Sequence, residues 1–505
     1  MRFSVSTLGC KVNQYEAQAI GSIIASHGHS QVVPGLPCDA YIINTCTVTS
    51  ESARKSRQAV RRARRQNPDA LIAVCGCLSQ LEPAAIEKLE VDLIGGSGNR
   101  VDFANEVLRL MDERQKKLTD EKPVTDVSHD KSLIVLPTDT KFEKLPPGAA
   151  PGRTRALLKI QDGCDNNCTY CVIPQARGKS RSLPVVRAAE YARKLDAQGF
   201  REIVVTGIEI SSYGKEIAGK RKLRKLAHED AGAGAADFAD LDSVKELEGS
   251  DAHAETHADP HAEAASPQKG KSQAALAVDY DTKELAGIIR VISGAAPNAR
   301  LRLGSLDPGV LTTDFCDALK DLDNLCDHFH LSLQSGCDDV LRRMGRKYNT
   351  DIVNQAIYRL RSRFPNCGIT ADLIVGFPGE TETEFMQTLG FIRAERFSGM
   401  HVFPFSPRQG TSAAAMPDQV LKQVRFERAK AVAAVAADMA MDFKLRQIGK
   451  TLNVLFERDV GDRHIGLSGN YVEVAVFGFA VRNTIHPVLV TGLSGSTVIG
   501  EISDN

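Results

Sequence analysis

The feature that most constrains this chain is a short loop with three thiols, Cys164-Asp-Asn-Asn-Cys168-Thr-Tyr-Cys171, directly behind the apolar run Ala156–Ile160. A strand-like run that ends in such a loop delivers its cysteines to one point beyond the strand's carboxyl end. Three thiolates there can hold three irons of a [4Fe–4S] cluster and leave the fourth iron open to a substrate. A zinc site or three core cysteines are the alternatives, but zinc would want a fourth protein ligand nearby.

The surrounding sequence supplies a frame for that loop. After it, strand-like runs recur at Glu202–Thr206, Ala299–Leu303, His328–Ser332, Gly368–Val375 and Gly399–Phe403, with helical stretches between them. With Ala156–Ile160 that makes a βα rhythm, and it predicts an incomplete TIM-like barrel over 151–442. In such barrels chemistry belongs at the carboxyl ends of the strands, where this loop falls.

A second βα rhythm covers 1–118. Phe3–Leu8, Ala40–Asn44, Leu71–Val74 and Val91–Ile94 read as strands, and Glu16–Ser26 and Glu51–Arg65 as helices. A parallel-sheet α/β domain follows. Three of its strands end near Cys10, Cys46 and the pair Cys75/Cys77. Neighbouring strand ends would bring Cys10, Cys46 and Cys77 together as a second three-thiol site, or the thiols simply pack as small core residues. Cys75 competes with Cys77, because two residues apart on a strand face the same way.

Residues 119–150, rich in Asp, Lys, Thr and Pro, read as a linker. Residues 217–275 interrupt the barrel with the basic cluster Lys220–Lys225 and an Ala/Asp/His/Glu-rich tract. Its composition argues for a solvated insert rather than a metal site at His253, His257 and His261. The last segment, 443–505, alternates apolar and polar residues in Thr451–Phe456, Tyr471–Val476, Thr484–Val490 and Thr497–Glu501, which predicts a small β-barrel.

The 505 residues carry 63 Lys+Arg and 63 Asp+Glu, so a nucleic-acid partner would have to be met by a local patch. The helix Arg54–Arg65 is the strongest basic run of the first domain and reads either as a grip on RNA phosphates or as an ordinary solvated helix face; on the first reading, reversing Arg61, Arg62, Arg64 and Arg65 to Glu should weaken RNA binding. Neither a secretory signal nor a run of 18 apolar residues is visible. The expected location is the reducing cytoplasm with no membrane partner, where twelve cysteines more often serve metals, catalysis or packing than disulfides.

The CxxxCxxC loop resembles that of the radical S-adenosylmethionine (SAM) superfamily. Val205–Glu209, Leu301–Ser305 and Asp372–Gly376 look like its SAM-contacting strands, which points to Gly207, Glu209 and Ser305 as SAM contacts. The resemblance narrows at Leu8–Glu16, Asn44–Val48, Gly76–Gln80, Arg177–Ser182, Ser332–Gly336, Gly376–Glu380 and Phe403–Ser406, which are similar to motifs of the methylthiotransferases. The terminal β segment is similar to their TRAM domain. The motif Gly9-Cys-Lys-Val-Asn-Gln-Tyr-Glu16 resembles the MtaB-type branch, which acts on N6-threonylcarbamoyladenosine at position 37 of tRNA. Sister branches act on isopentenyladenosine tRNA (MiaB type) or an Asp of a ribosomal protein (RimO type).

That resemblance implies two [4Fe–4S] clusters, an auxiliary one on Cys10, Cys46 and Cys77 and the radical SAM one on Cys164, Cys168 and Cys171. It implies two uses of SAM: as methyl donor to sulfur held at the auxiliary cluster, and as source of a 5′-deoxyadenosyl radical that opens the C2–H bond of the adenine. Catalytic residues beyond the cluster ligands are not implied. The implied partners are the tRNA anticodon stem–loop, a sulfur donor, and an electron donor such as flavodoxin or ferredoxin. The sheet domain should then pack over the barrel mouth. An RNA-binding iron–sulfur sensor is the non-enzymatic alternative. Cys38, Cys75, Cys316, Cys326, Cys337 and Cys367 carry no implied role.

Overall fold

A computed structural model describes residues 1–119, 132–134, 141–148, 152–216, 282–478 and 480–503. The basic cluster Lys220–Lys225 and the histidines of the 217–275 insert lie outside them, as does most of the linker.

The N-terminal domain is a parallel sheet of six strands, β1 (Arg2–Thr7), β2 (Ser30–Gln31), β3 (Ala40–Thr45), β4 (Leu71–Gly76), β5 (Leu93–Gly95) and β6 (Ser132–Ile134), in the order β2-β1-β3-β4-β5-β6. β6 falls inside the stretch read as linker. Its three residues are too few to show a strand period, and its pairing with β5 recruits it. Helices α1 (Lys11–Ser26), α2 (Ser50–Gln66), α3 (Cys77–Leu81), α4 (Pro83–Glu87) and α5 (Arg100–Thr119) connect the strands. α2 starts where the Thr49 hydroxyl accepts from the Ser52 backbone N–H, a helix N-cap. It buries only Ala53, Ser56, Val60 and Ala63, leaving its arginine-rich face outward.

α1 is apolar on two sides, and both are used. Ile20 and Ile24 pack under the sheet with Phe3, Ala40 and Leu71. Tyr15 and Ala19 pack the other way, against Leu145, Leu157 and Val204. Leu157 and Val204 belong to the second domain, whose strands are β7 (Arg155–Lys159), β8 (Gln161–Asp162), β9 (Arg181–Ser182), β10 (Glu202–Thr206), β11 (Arg300–Leu303), β12 (Ser305–Leu306), β13 (His328–Gln334), β14 (Gly368–Val375) and β15 (Gly399–Pro404). Parallel ladders join β7-β10-β11 and β12-β13-β14-β15, while β8 and β9 form a small antiparallel pair. A bridge between Leu301 and Leu325 links the two arcs. Among the described residues no ladder joins β7 to β15, so the barrel stays open, as its sequence rhythm predicts.

The outward residues of these strands, such as Ile203, Leu301, Phe329 and Leu373, share one core with the surrounding helices. Their alternates face inward, among them Lys159, Arg302, His330 and Asp372. The C-terminal segment closes into a five-stranded barrel of β16 (Thr451–Val460), β17 (Arg463–Ser468), β18 (Glu473–Phe477), β19 (Ile485–Ser494) and β20 (Thr497–Ile502). β17 is not legible in sequence, because the residues paired with the barrel core, His464, Gly466 and Ser468, are not apolar. This barrel docks at the amino ends of the central strands. Glu202 accepts from Arg300 at 2.7 Å and from Arg302 at 2.8 Å. The guanidinium of Arg300 donates to the Asn453 and Leu467 carbonyls, and that of Arg302 to Ser468 and Gly469. Burial raises the Glu202 carboxyl and the two arginines outweigh it, holding it down at about 2.

Candidate active site: two cysteine triads at adjoining strand ends

β1, β3 and β4 are neighbours in the sheet, and neighbouring strands lie about 4.8 Å apart. Cys46 directly follows β3, Cys77 directly follows β4 and begins α3, and Cys10 caps the start of α1 behind β1. The three sulfurs are electrostatic neighbours: Cys10 and Cys46 both act on Cys77. Asn13 ties the strand ends together, its amide donating to the Leu8 carbonyl at 2.8 Å and the Thr45 carbonyl at 2.9 Å. Asn44 returns a bond to the Asn13 carbonyl at 3.0 Å. Gly9 must lack a side chain, because a Cβ there would stand 2.6 Å from the Cys46 sulfur.

Gly76 separates the two competing cysteines. Its φ of +110° lies in the region that favours glycine, and a Cβ would meet the Asn44 Oδ1 at 2.5 Å and the Thr45 nitrogen at 2.6 Å. The chain therefore leaves the strand at this residue. Cys75 stays in the core beneath the sheet with Phe3, Phe103 and Met111, while Cys77 turns to the triad. The strand alternation that made the two thiols equivalent breaks at this glycine.

The second triad sits on the loop behind β7 and β8, at the barrel mouth. Gln161 builds its base: the side-chain amide donates to the Asp162 and Gly163 carbonyls and the Ser180 hydroxyl, and its oxygen accepts from the Glu209 N–H at 2.8 Å. The Arg346 guanidinium donates to the Cys168 sulfur at 3.2 Å and to Asp307 at 3.2 Å. Burial pushes the Cys164 thiol up to about 12 and the Cys171 thiol up to about 11. Burial also pushes Cys77 up to about 11, against the pull of Arg177. Thiols so placed ionise on binding a metal, which supplies the missing positive charge.

The two triads adjoin. Helix α6 (Ile173–Arg177) begins two residues after Cys171 and packs on α3, the helix that Cys77 begins. A buried ionic network locks this junction. Glu16 of α1 accepts from Arg177 at 2.8 Å, Lys159 at 2.8 Å and Arg100 at 2.9 Å. Asp162 accepts from Lys159 at 2.6 Å and Arg177 at 3.0 Å, and pairs with Arg181 at 3.4 Å. Arg177 also donates to Asn13 Oδ1 at 2.6 Å. Four cations thus share two carboxylates, and Arg177 acts directly on Cys77 and Cys46. A surplus of cations beside three thiols fits an anionic thiolate-bound cluster, and each triad supplies three sulfurs, the number a site-open [4Fe–4S] cluster takes.

The residues expected to touch SAM also converge at the mouth. Glu209 follows β10, and burial and neighbouring Asp307 raise its carboxyl to about 7. Gly207 is fixed by packing, since a Cβ would lie 2.9 Å from the Gln161 carbonyl oxygen. Ser305 opens β12, opposite His330 of β13. Sequence reasoning missed Gln161, Arg346, Asp307 and the partners of Glu16, whose connections span up to 178 residues of chain. Of the remaining cysteines, Cys38, Cys75, Cys316, Cys337 and Cys367 pack in apolar clusters and Cys326 is buried.

This fold with this loop defines a radical SAM enzyme. Residues 158–248 and 277–392 match the radical SAM superfamily, and residues 2–96 match the "Uncharacterized protein family UPF0004". The chain is 33% identical to the threonylcarbamoyladenosine tRNA methylthiotransferase MtaB of Bacillus subtilis, over 94% of this chain and 89% of that protein. It is 31% identical to the protein of the same name from Thermotoga maritima, over 98% and 95%. Similarity extends to a tRNA-2-methylthio-N(6)-dimethylallyladenosine synthase of Pelotomaculum thermopropionicum, 28% identical over 100% of this chain and 98% of that one. The chain belongs to the MtaB-type family of radical SAM methylthiotransferases, enzymes that use SAM and two [4Fe–4S] clusters. No helix among the described residues is long and apolar enough to cross a membrane.

Proposed function

We propose that this chain methylthiolates C2 of N6-threonylcarbamoyladenosine at position 37 of tRNA. The observation that supports this reading is the packing of α6 on α3, which brings together the elements that follow Cys171 and begin at Cys77. In it Cys10, Cys46 and Cys77 hold the auxiliary cluster, Cys164, Cys168 and Cys171 hold the SAM-cleaving one, and Gly207, Glu209 and Ser305 contact SAM. When bound, these groups supply a carbon radical and a transferable sulfur, which an unactivated C–H bond requires. The protein's own part is placement. Glu16 and Arg177 fix the two domains together, Gln161 and Arg346 fix the loop, and α1 packs on β7 and β10 through Tyr15 and Ala19.

The relatives' names support a tRNA substrate, and the more similar ones support the threonylcarbamoyl form over the dimethylallyl form. An unpaired loop base can be splayed into a protein pocket. The outward face of α2 offers the phosphate contacts. Arg64 is not among them, since it donates to the Pro68, Ala70 and Glu90 carbonyls and pairs with Asp92. Arg61, Arg62 and Arg65 are exposed. Reversing these three to Glu should weaken tRNA binding at physiological salt by about tenfold or more and flatten its salt dependence. Unchanged affinity would remove α2 from the RNA-binding surface.

The proposal is tested by nucleoside mass spectrometry of tRNA from a host that lacks its own activity and expresses this chain. Appearance of the 2-methylthio form of N6-threonylcarbamoyladenosine supports it. A 2-methylthio isopentenyladenosine product instead would move the chain to the sister reaction, and a product on ribosomal protein alone would remove tRNA altogether.

A further inference from the structure

Inside the barrel, three strands bring together side chains that hold no cluster. His330 Nε2 lies 3.1 Å from Asp372 Oδ2, and His401 Nδ1 lies 3.1 Å from Asp372 Oδ1. Thr370 Oγ1 sits 2.8 Å from His330 Nδ1 and 2.9 Å from His328 Nε2, so His330 is held from both sides. Asp372 is thereby spent on two imidazoles. His401 is different: its side chain is 66% exposed and its Nε2 makes no bond among the described residues. The bond to Asp372 raises the His401 pKa against the opposing pull of burial and Lys11, and it turns the Nε2 edge outward.

Lys11 of the first domain stands near enough to this group to be felt electrostatically. Its charge acts on both His328 and His401. It is exposed, and among the described residues it makes neither an ion pair nor a side-chain hydrogen bond. The other cations of this junction are committed: Arg100, Lys159 and Arg177 to Glu16, Arg181 to Asp162, and Arg346 to Asp307. Lys11 also directly follows Cys10, so its Cα stands about 3.8 Å from that of a triad residue. An unpaired cation between a thiol triad and an open imidazole edge asks for an anion.

Resting on the substrate reading above, we infer that Lys11 and His401 bind the carboxylate of the threonylcarbamoyl group. In adenine, N1 separates C2 from C6, so a substituent on N6 projects away from C2 by the length of its own chain. With C2 turned to the triads, Lys11 stands next to Cys10, and its four-carbon stem can carry the ammonium to a carboxylate on the N6 side of the base. An isopentenyl group in the same place would leave Lys11 and His401 without a counter-charge, and a site built for a polar group rejects the analogue lacking it. Asp372 is a positioning residue that turns His401.

The test uses reconstituted full-length holoenzyme and two anticodon stem–loop RNAs. One carries N6-threonylcarbamoyladenosine, and the other carries the same nucleoside with its carboxylate as the neutral methyl ester. Wild type should bind the acid about tenfold to a hundredfold more tightly than the ester, the size of a hydrogen bond to a charged group. Lys11→Ala and His401→Ala should each reduce the preference for the acid, the double variant should abolish it, and Lys11→Arg should restore what Lys11→Ala loses. Iron content is measured on every variant to show that the Cys10 triad is loaded. Equal binding of acid and ester by wild type, or an undiminished preference in Lys11→Ala, overturns the inference. Product formation by wild type on the acid RNA is scored separately: if none forms, the substrate reading itself fails.

Discussion

Replacing Cys10, Cys46 and Cys77 together by Ala should lower the iron of anaerobically reconstituted protein from about eight to about four atoms per chain. SAM cleavage under reductant should persist, because the loop of Cys164, Cys168 and Cys171 stands on a different strand end with its own supports, Gln161 and Arg346. Methylthio product should vanish. The complementary variant, with Cys164, Cys168 and Cys171 replaced, should also keep about four irons but lose SAM cleavage. A Cys75→Ala variant should retain the full iron content, since Gly76 leaves that thiol in the core. An unchanged iron count in the first triple variant would refute the second cluster.

The second large effect is expected at Glu16. Three cations close on this fully buried carboxylate, and removing one partner of a buried pair costs about 3–5 kcal/mol because the others are left uncompensated. Glu16→Gln should therefore lower stability in urea by about that amount. A loss under about 1 kcal/mol, the scale of an exposed pair, would show that the junction is held by packing alone. The same network predicts an acid limit. Burial raises the Glu16 and Asp162 carboxyls, and the arginines and Lys159 more than reverse this, leaving Glu16 well below the usual range and Asp162 at about 2. Folded values below the unfolded ones, about 3.9 to 4.3, mean that the stabilisation is complete above that range and is lost as pH falls towards 2. Glu16→Gln should flatten this part of the stability profile.

How much was legible in the sequence follows from the range of each interaction. Strand runs, the barrel rhythm and the triad on one loop are local patterns; the structure places the predicted strands of the first two domains within a residue or two, while β16 and β19 run four residues past the predicted ends Phe456 and Val490. Cys10, Cys46 and Cys77 are distant in sequence, yet each ends a strand of one parallel sheet, so topology alone brings them together. The choice of Cys77 over Cys75 was open, because it depends on the backbone of Gly76 rather than on side-chain alternation. Glu16, Asn13 and Arg177 stood inside matched motifs, but their joint role was hidden: 161 residues separate Glu16 from Arg177, and no periodicity links them. Arg64 shows the converse, a residue in a basic run that looks like an RNA contact and instead binds carbonyls of its own domain.

The central claim is that both triads serve one reaction on one nucleoside. It is tested most directly by incubating the reconstituted enzyme with SAM, reductant and an anticodon stem–loop carrying N6-threonylcarbamoyladenosine, and then reading the nucleosides by mass spectrometry. The wild-type chain should yield the 2-methylthio derivative, and each triple cysteine variant should yield none. Product from either triple variant, or wild-type product only on an isopentenyladenosine stem–loop, would contradict the account.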